Sequence, residues 1–129
     1  MKKKILIVNA NYYEEISLGL LKNTLKQFPK SKNLKIVNVP GVFEIPVTIS
    51  KNLKKFDAFI ALGCVIKGKT PHFDFISKAS TDAIMSLSIA SKKPIGNGII
   101  TCLNMNQAKA RKSKGADAAH AVLSVLSQK

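Results

Sequence analysis

ILIVNANYYEEISLGLLKNTLKQFP, residues Ile5–Pro29, changes its hydrophobic period once along its length. Ile5 to Ala10 is a continuous, largely β-branched apolar run of strand length. From Glu14 the apolar residues fall at Ile16, Leu20, Leu21, Leu25 and Phe28, a helical spacing that Pro29 ends. A strand feeding a helix therefore opens the chain, and the unit recurs. Leu34–Val39 predicts a second strand, Pro40 and Gly41 break the chain, and Ile45–Lys55 predicts a helix beginning near Pro46. Ala58–Cys64 predicts a third strand. Thr70 then stands as N-cap, with Pro71 in the first helical position, of a helix reaching about Ala90. Pro94 opens a fourth strand, Ile95–Cys102. Two helical stretches follow, Met105–Lys112 and Ala116–Leu126, divided by a turn at Lys114 and Gly115.

These strands have continuous apolar runs, each followed by a helix, which is what a parallel sheet covered on both faces demands. The expectation is a three-layer α/β sandwich with a four-stranded parallel sheet and helices on both faces, formed by the 129 residues as a single domain. Ligands of such sheets bind beyond the carboxyl ends of the strands. That rule directs attention to residues 10–13, 40–44, 65–72, and 95–101 with the helix that follows.

Bulk properties narrow the function classes. The run Ala58–Val65 is far shorter than the ~20 apolar residues of a membrane span. Met1–Lys4 followed by Ile5–Val8 lacks the apolar length and cleavage site of a signal peptide, so no membrane partner and a cytoplasmic location are expected. Cys64 and Cys102, each within a strand-like segment, read as small core hydrophobes, not as metal ligands or nucleophiles. A formal net charge of +14 invites a nucleic-acid reading. However, all 21 basic residues but Arg111 are lysines, scattered except for the block Lys2–Lys4, with no basic-aromatic stripe. A solvated lysine surface, and no nucleic-acid partner, is the expectation.

The strand-end segments themselves are ANYYEEIS from Ala10, VPGVFEIP from Val39, ALGCVIKGKTPHFD from Ala61, PIGNGIIT from Pro94, NQAKAR from Asn106 and KGADAA from Lys114. In order and spacing they resemble the lumazine synthases, over nearly the whole chain, and the pair GxFEIP and GxTxHFD carries most of the specificity. The resemblance implies a flavodoxin-like sandwich and condensation of 5-amino-6-(D-ribitylamino)uracil with 3,4-dihydroxy-2-butanone 4-phosphate. It implies small-molecule substrates, no cofactor and no metal, and homopentamers whose active sites lie between subunits.

Residue by residue, the resemblance matches Tyr12 to the ring that stacks on the pyrimidine, Val42, Phe43 and Glu44 to the ribityl-binding segment, and Val65 and Ile66 to backbone contacts with the ring. Asn97 and Lys114 match further positions near the pyrimidine. Gly68, Lys69 and Thr70 precede a helix N-terminus, where free N–H groups favour an anion. Arg111 matches the residue that reaches a neighbouring subunit's phosphate site, a task for which a planar guanidinium suits better than an ammonium. His72, two residues beyond Thr70, is the expected proton shuttle. His120 stands in an alanine-rich helix without a motif and reads as structural.

This chain departs from the family pattern in several places. Tyr12 stands where phenylalanine or tryptophan is more usual, Asn97 where many members carry phenylalanine, and Lys69 for a small or acidic residue. The stretch from Arg111 to Lys114 is shorter than usual. The first strand begins almost at Met1, without the N-terminal segment that joins subunits in many shell-forming members, so a free pentamer is expected. Three other readings compete. A non-catalytic flavin- or lumazine-binding module would keep Tyr12 and Glu44 and lose His72 or Arg111, yet both are present. A flavodoxin-like electron carrier tends to be acidic and to carry a Ser/Thr-rich phosphate loop after the first strand, which Asn9–Glu14 does not provide. A nucleic-acid protein would be told apart by salt-sensitive binding to arbitrary RNA or DNA.

Overall fold

Four parallel strands pair side by side in the order β2-β1-β3-β4, in a computed structural model that describes residues 3–28 and 33–128. They are β1 (Ile5–Ala10), β2 (Leu34–Val39), β3 (Ala58–Ile66) and β4 (Ile95–Cys102). The intervening helices are α1 (Glu14–Leu25), α2 (Ile45–Lys51) and α3 (His72–Ser91), followed by α4 (Met105–Ala110) and α5 (Lys114–Leu126). Register runs Ile5 to Leu34, Ile5 to Ala58 and Phe59 to Ile95, so three strands begin level and their carboxyl ends form one rim. Pro29, expected to end the first helix, lies outside the described residues.

The central strands explain the unbroken apolar runs. Every residue of β1 is buried, and side chains alternate between two cores. Ile5 and Ile7 join Ile16 and Leu20 of α1 and Val122 of α5 on one face, whereas Leu6 and Val8 join Ile45 and Ile49 of α2 and Ile84 of α3 on the other. This is the expected three-layer sandwich. At ~25 cal/mol per Å² of apolar surface, two such cores supply the main drive to fold.

Four boundaries differ from expectation. β3 runs on to Ile66, because Val65 and Ile66 pair with Thr101 and Cys102 and the Lys67 N–H donates to the Cys102 carbonyl at 2.9 Å. The second helix stops at Lys51 rather than Lys55. Asn52 leaves helical geometry and its side-chain amide donates to the Thr48 carbonyl at 2.7 Å, closing the last turn. The third begins at His72, with Pro71 as its cap; the Thr70 hydroxyl still accepts from the His72 N–H, at 3.4 Å. Finally, the turn between the last helices lies at residues 111–113, and Lys114 and Gly115 are already in α5.

Gly115 is a packing residue, not a breaker. A Cβ there would stand 2.1 Å from the Leu20 carbonyl oxygen and 2.7 Å from the Thr24 hydroxyl, so α5 lies against α1 as closely as only glycine permits. Thr24 closes this contact by donating toward the Gly115 carbonyl at 3.0 Å and the Leu20 carbonyl at 2.9 Å. Gly96 does the same for the sheet, since a Cβ would lie 2.3 Å from the Ala118 carbonyl oxygen of α5.

Candidate active site

The carboxyl ends of β1 and β3, the 3-10 turn Val42–Glu44 after β2 and the start of α3 surround a cleft of about 700 Å³. Each wall follows from local sequence. Pro40 and Gly41 end β2 and let Val42 turn inward; Val42 is buried, and its Cγ2 would sit 2.7 Å from a Cβ on Gly63. Val42 thus anchors the turn on β3 and leaves Phe43 and Glu44 at the cleft. The Glu44 carbonyl accepts from the Thr48 hydroxyl at 2.8 Å, tying the turn to α2. On the opposite wall the parallel pairing with β4 carries Val65 and Ile66 to the rim.

Seven of the expected residues meet here: Tyr12, Val42, Phe43, Glu44, Val65, Ile66 and His72. Tyr12 and Phe43, both lining the cleft, are 74% and 63% exposed, so a flat ligand has two aromatic rings open to it. The Tyr12 ring is steadied edge-to-face against Tyr13, with centroids 4.9 Å apart at 83°. Gly68, Lys69 and Thr70 form the exposed β3–α3 connection beside His72, and a Cβ on Gly68 would meet open space, so its backbone is accessible to a ligand.

Arg111 and Lys114 are elsewhere. They line a second cleft of about 360 Å³ with Ile99, Thr101 and Asp117, beyond β4. The Arg111 guanidinium donates from Nη1 to the Thr101 carbonyl at 3.4 Å and to Cys102 Sγ at 3.9 Å. Asn97 belongs to neither cleft. It lies midway along edge strand β4, and its Oδ1 accepts from the Ile99 N–H at 3.0 Å. His120 pairs through Nε2 with Gln27 Oε1 at 2.8 Å and links α5 to the end of α1, away from the cleft.

The structure adds Tyr13, Gly41, Cys64, Phe75 and Ile76 to the first cleft. Phe75 and Ile76 stand three and four residues after His72, the spacing that puts side chains on one helix face, and that signal was available in the sequence. Cys64 is 7% exposed. Burial first, then the adjacent Cys102 thiol, pushes the Cys64 thiol up to about 12, so it lines the cleft as a neutral, weakly polar group. The Tyr13 hydroxyl is also raised, by burial and then by Tyr12 and Cys64.

An α/β protein with an open ligand cleft at the carboxyl rim of a parallel sheet is the class these features define. The chain belongs to the 6,7-dimethyl-8-ribityllumazine synthase family, whose model matches residues 2–129. It is similar to the 6,7-dimethyl-8-ribityllumazine synthase of Bartonella tribocorum, 40% identical over 140 residues that cover 100% of this chain and 93% of that protein. Identity to the Bartonella henselae protein of that name is 42% over 138 residues, covering 99% of this chain and 89% of the relative. The 6,7-dimethyl-8-ribityllumazine synthase 1 of Rhodopseudomonas palustris is 40% identical over 136 residues, covering 95% and 83%.

Proposed function

We propose that the chain is the transferase that condenses 5-amino-6-(D-ribitylamino)uracil with 3,4-dihydroxy-2-butanone 4-phosphate to 6,7-dimethyl-8-ribityllumazine, the penultimate step of riboflavin biosynthesis. The observation that carries this reading, beside family membership, is the gathering of Tyr12, Phe43, Glu44, Val65, Ile66 and His72 around one cleft. Tyr12 stacks on the pyrimidine, the Val65–Ile66 backbone borders its ring, and Glu44 accepts from ribityl hydroxyls. Val42 acts through the turn that it anchors. Gly68, Lys69 and Thr70 receive the phosphate at the start of α3.

The pyrimidine amine attacks the ketone, water leaves to give an imine, phosphate is eliminated, and ring closure releases a second water. His72 moves protons between the reacting groups, and the phosphate site stabilises the departing charge. No step calls for a cofactor, metal or enzyme nucleophile. Most of the acceleration comes from holding two reactants in attack geometry.

The assembly is a homo-oligomer, a free pentamer in the cytoplasm, in which Arg111 of one subunit completes the phosphate site of the next. Two observations support it. Arg111 is tethered outside its own chain's cleft, and α3, whose Phe75 lines that cleft, leaves three large apolar side chains, Phe75, Met85 and Ile89, 68%, 59% and 69% exposed. Among the described residues no helix is long and apolar enough to cross a membrane. The test is to mix the purified protein with both substrates and follow lumazine absorbance and fluorescence. Product formation no faster than in the protein-free mixture would overturn the assignment.

A further inference from the structure

The opposite pole of the sheet carries a concavity that the reaction does not use. It encloses about 540 Å³ where β1, β2 and β3 begin and the turn after α2 ends. Lys4, Lys35, Lys54 and Lys55 line it together with Asn52 and Phe56, and among the described residues the lining holds no carboxylate. The neighbouring acid, Asp57, has its carboxylate engaged by the Lys4 backbone N–H at 2.8 Å.

Helix ends do not account for these four lysines. Because α1, α2 and α3 each return from the carboxyl rim to the start of the next strand, their negative carbonyl ends collect at this pole, but they have lysines of their own. Lys26 caps α1, Lys51 lies in the last turn of α2 and Lys92 caps α3. Lys93 Nζ donates to the Leu53 carbonyl and, at 2.9 Å, to the Phe56 carbonyl. Among the described residues the ion pairs are Lys78–Asp82 and Lys109–Glu15, neither of them in the concavity.

All four lysines are exposed, so water and salt screen part of their mutual repulsion, and a multiply charged anion placed among them would offset the rest. A nucleic-acid strand needs an extended basic stripe, whereas these lysines converge on one space of small-ligand size. Orthophosphate carries too little charge to match all four. We propose that this cleft binds a chain of linked phosphates, inorganic or borne by a nucleotide, at a site separate from the reaction.

The test is calorimetric titration of the full chain at physiological salt with inorganic triphosphate, orthophosphate and ATP. Triphosphate should bind at about one per chain, at least ~10-fold more tightly than orthophosphate. Lys35→Ala/Lys54→Ala/Lys55→Ala, with unchanged turnover and melting temperature, should weaken triphosphate at least ~10-fold, and Lys54→Glu alone should weaken it in the same direction. Arg111→Ala and a variant losing equal charge elsewhere, Lys78→Ala/Lys109→Ala/Lys112→Ala, should each stay within ~3-fold. ATP tighter than triphosphate, with the difference lost in Phe56→Ala, identifies a nucleotide; equal affinities identify the phosphate chain alone. The proposal is overturned by absence of triphosphate binding, by equal weakening in the two triple variants, or by binding that Arg111→Ala abolishes.

Discussion

The Arg111 guanidinium donates to the Thr101 carbonyl at 3.4 Å, which ties it to the end of β4 while His72 faces a different cleft of the same chain. If the two residues act on one substrate, they come from different subunits. Arg111→Ala and His72→Ala oligomers, each impaired alone, should then regain activity when dissociated, mixed and reassembled. Random mixing gives about one site in four both native residues, so recovery approaching ~25% of wild-type turnover is expected. Recovery no greater than the average of the two variants would show that each chain works alone.

Arg111→Lys keeps the charge and loses the bidentate fork. The Michaelis constant for the butanone phosphate should rise several-fold, while that for the pyrimidine changes much less. Steady-state kinetics with each substrate varied in turn decide it, and equal rises would reassign Arg111 to a structural role.

His72→Ala should lower turnover by about 10²-fold or less, since proton transfer contributes typically 10² to 10⁴ and this chemistry leans on proximity. The pH profile of kcat should lose a limb as well. A profile with the wild-type shape and height would remove His72 from proton transfer.

Much of this was legible in advance for a specific reason. A doubly covered parallel sheet needs mainly apolar strands, and the bounds of Ile5–Ala10, Leu34–Val39 and Ile95–Cys102 were legible to the residue, although edge strand β2 carries Lys35 and Asn38 and is largely exposed. Strand ends then indicate the rim, which is why Tyr12, Glu44 and His72 could be grouped before any coordinates. What failed was a reading of local signals that tertiary packing overrides. Gly115 looks like a turn and is a helix–helix contact. Cys64 looks like pure core, and at 7% exposed it is buried, yet it also borders the cleft. Arg111's separation from His72 came only from the resemblance, which assigns Arg111 to a neighbouring subunit's site; periodicity could not give it, since it depends on how far α4 carries the chain from the rim.

Gly115 and Gly19 offer a matched pair of substitutions. Alanine at either gains about 1 kcal/mol of helix propensity. At 115 the new methyl meets the Leu20 backbone at 2.1 Å and disturbs the buried Thr24 hydroxyl, overpacking and hydrogen-bond losses of about 1–3 kcal/mol each. Gly115→Ala should therefore destabilise by ~2 kcal/mol net. At 19 the obstruction is the Lys112 side chain, which can swing into solvent, so Gly19→Ala should be neutral or stabilising by up to ~1 kcal/mol. Urea denaturation should show a loss for Gly115→Ala and none for Gly19→Ala; equal losses would show that α1 and α5 have no special closeness at 115.

The Cys64 thiol supplies a test with a definite sign. In the folded chain burial, reinforced by Cys102, raises it to about 12, while an unfolded thiol ionises near ~8.5. Between those values the unfolded chain has lost the proton and the folded chain has kept it, so this contribution to stability is whole below ~8.5 and declines as pH rises toward about 12. Cys64→Ala should flatten that alkaline decline relative to the native chain, which removes the common effects of lysine and tyrosine titration. At pH 8 the same shift leaves so little thiolate that disulfide-exchange reagents should modify Cys64 at least ~10-fold more slowly than a free thiol, the greater nucleophilicity of a high-pKa thiolate offsetting part of the loss. Modification at the free-thiol rate without unfolding would mean that the Cys64 side of the cleft is open to solvent and that the thiol titrates normally.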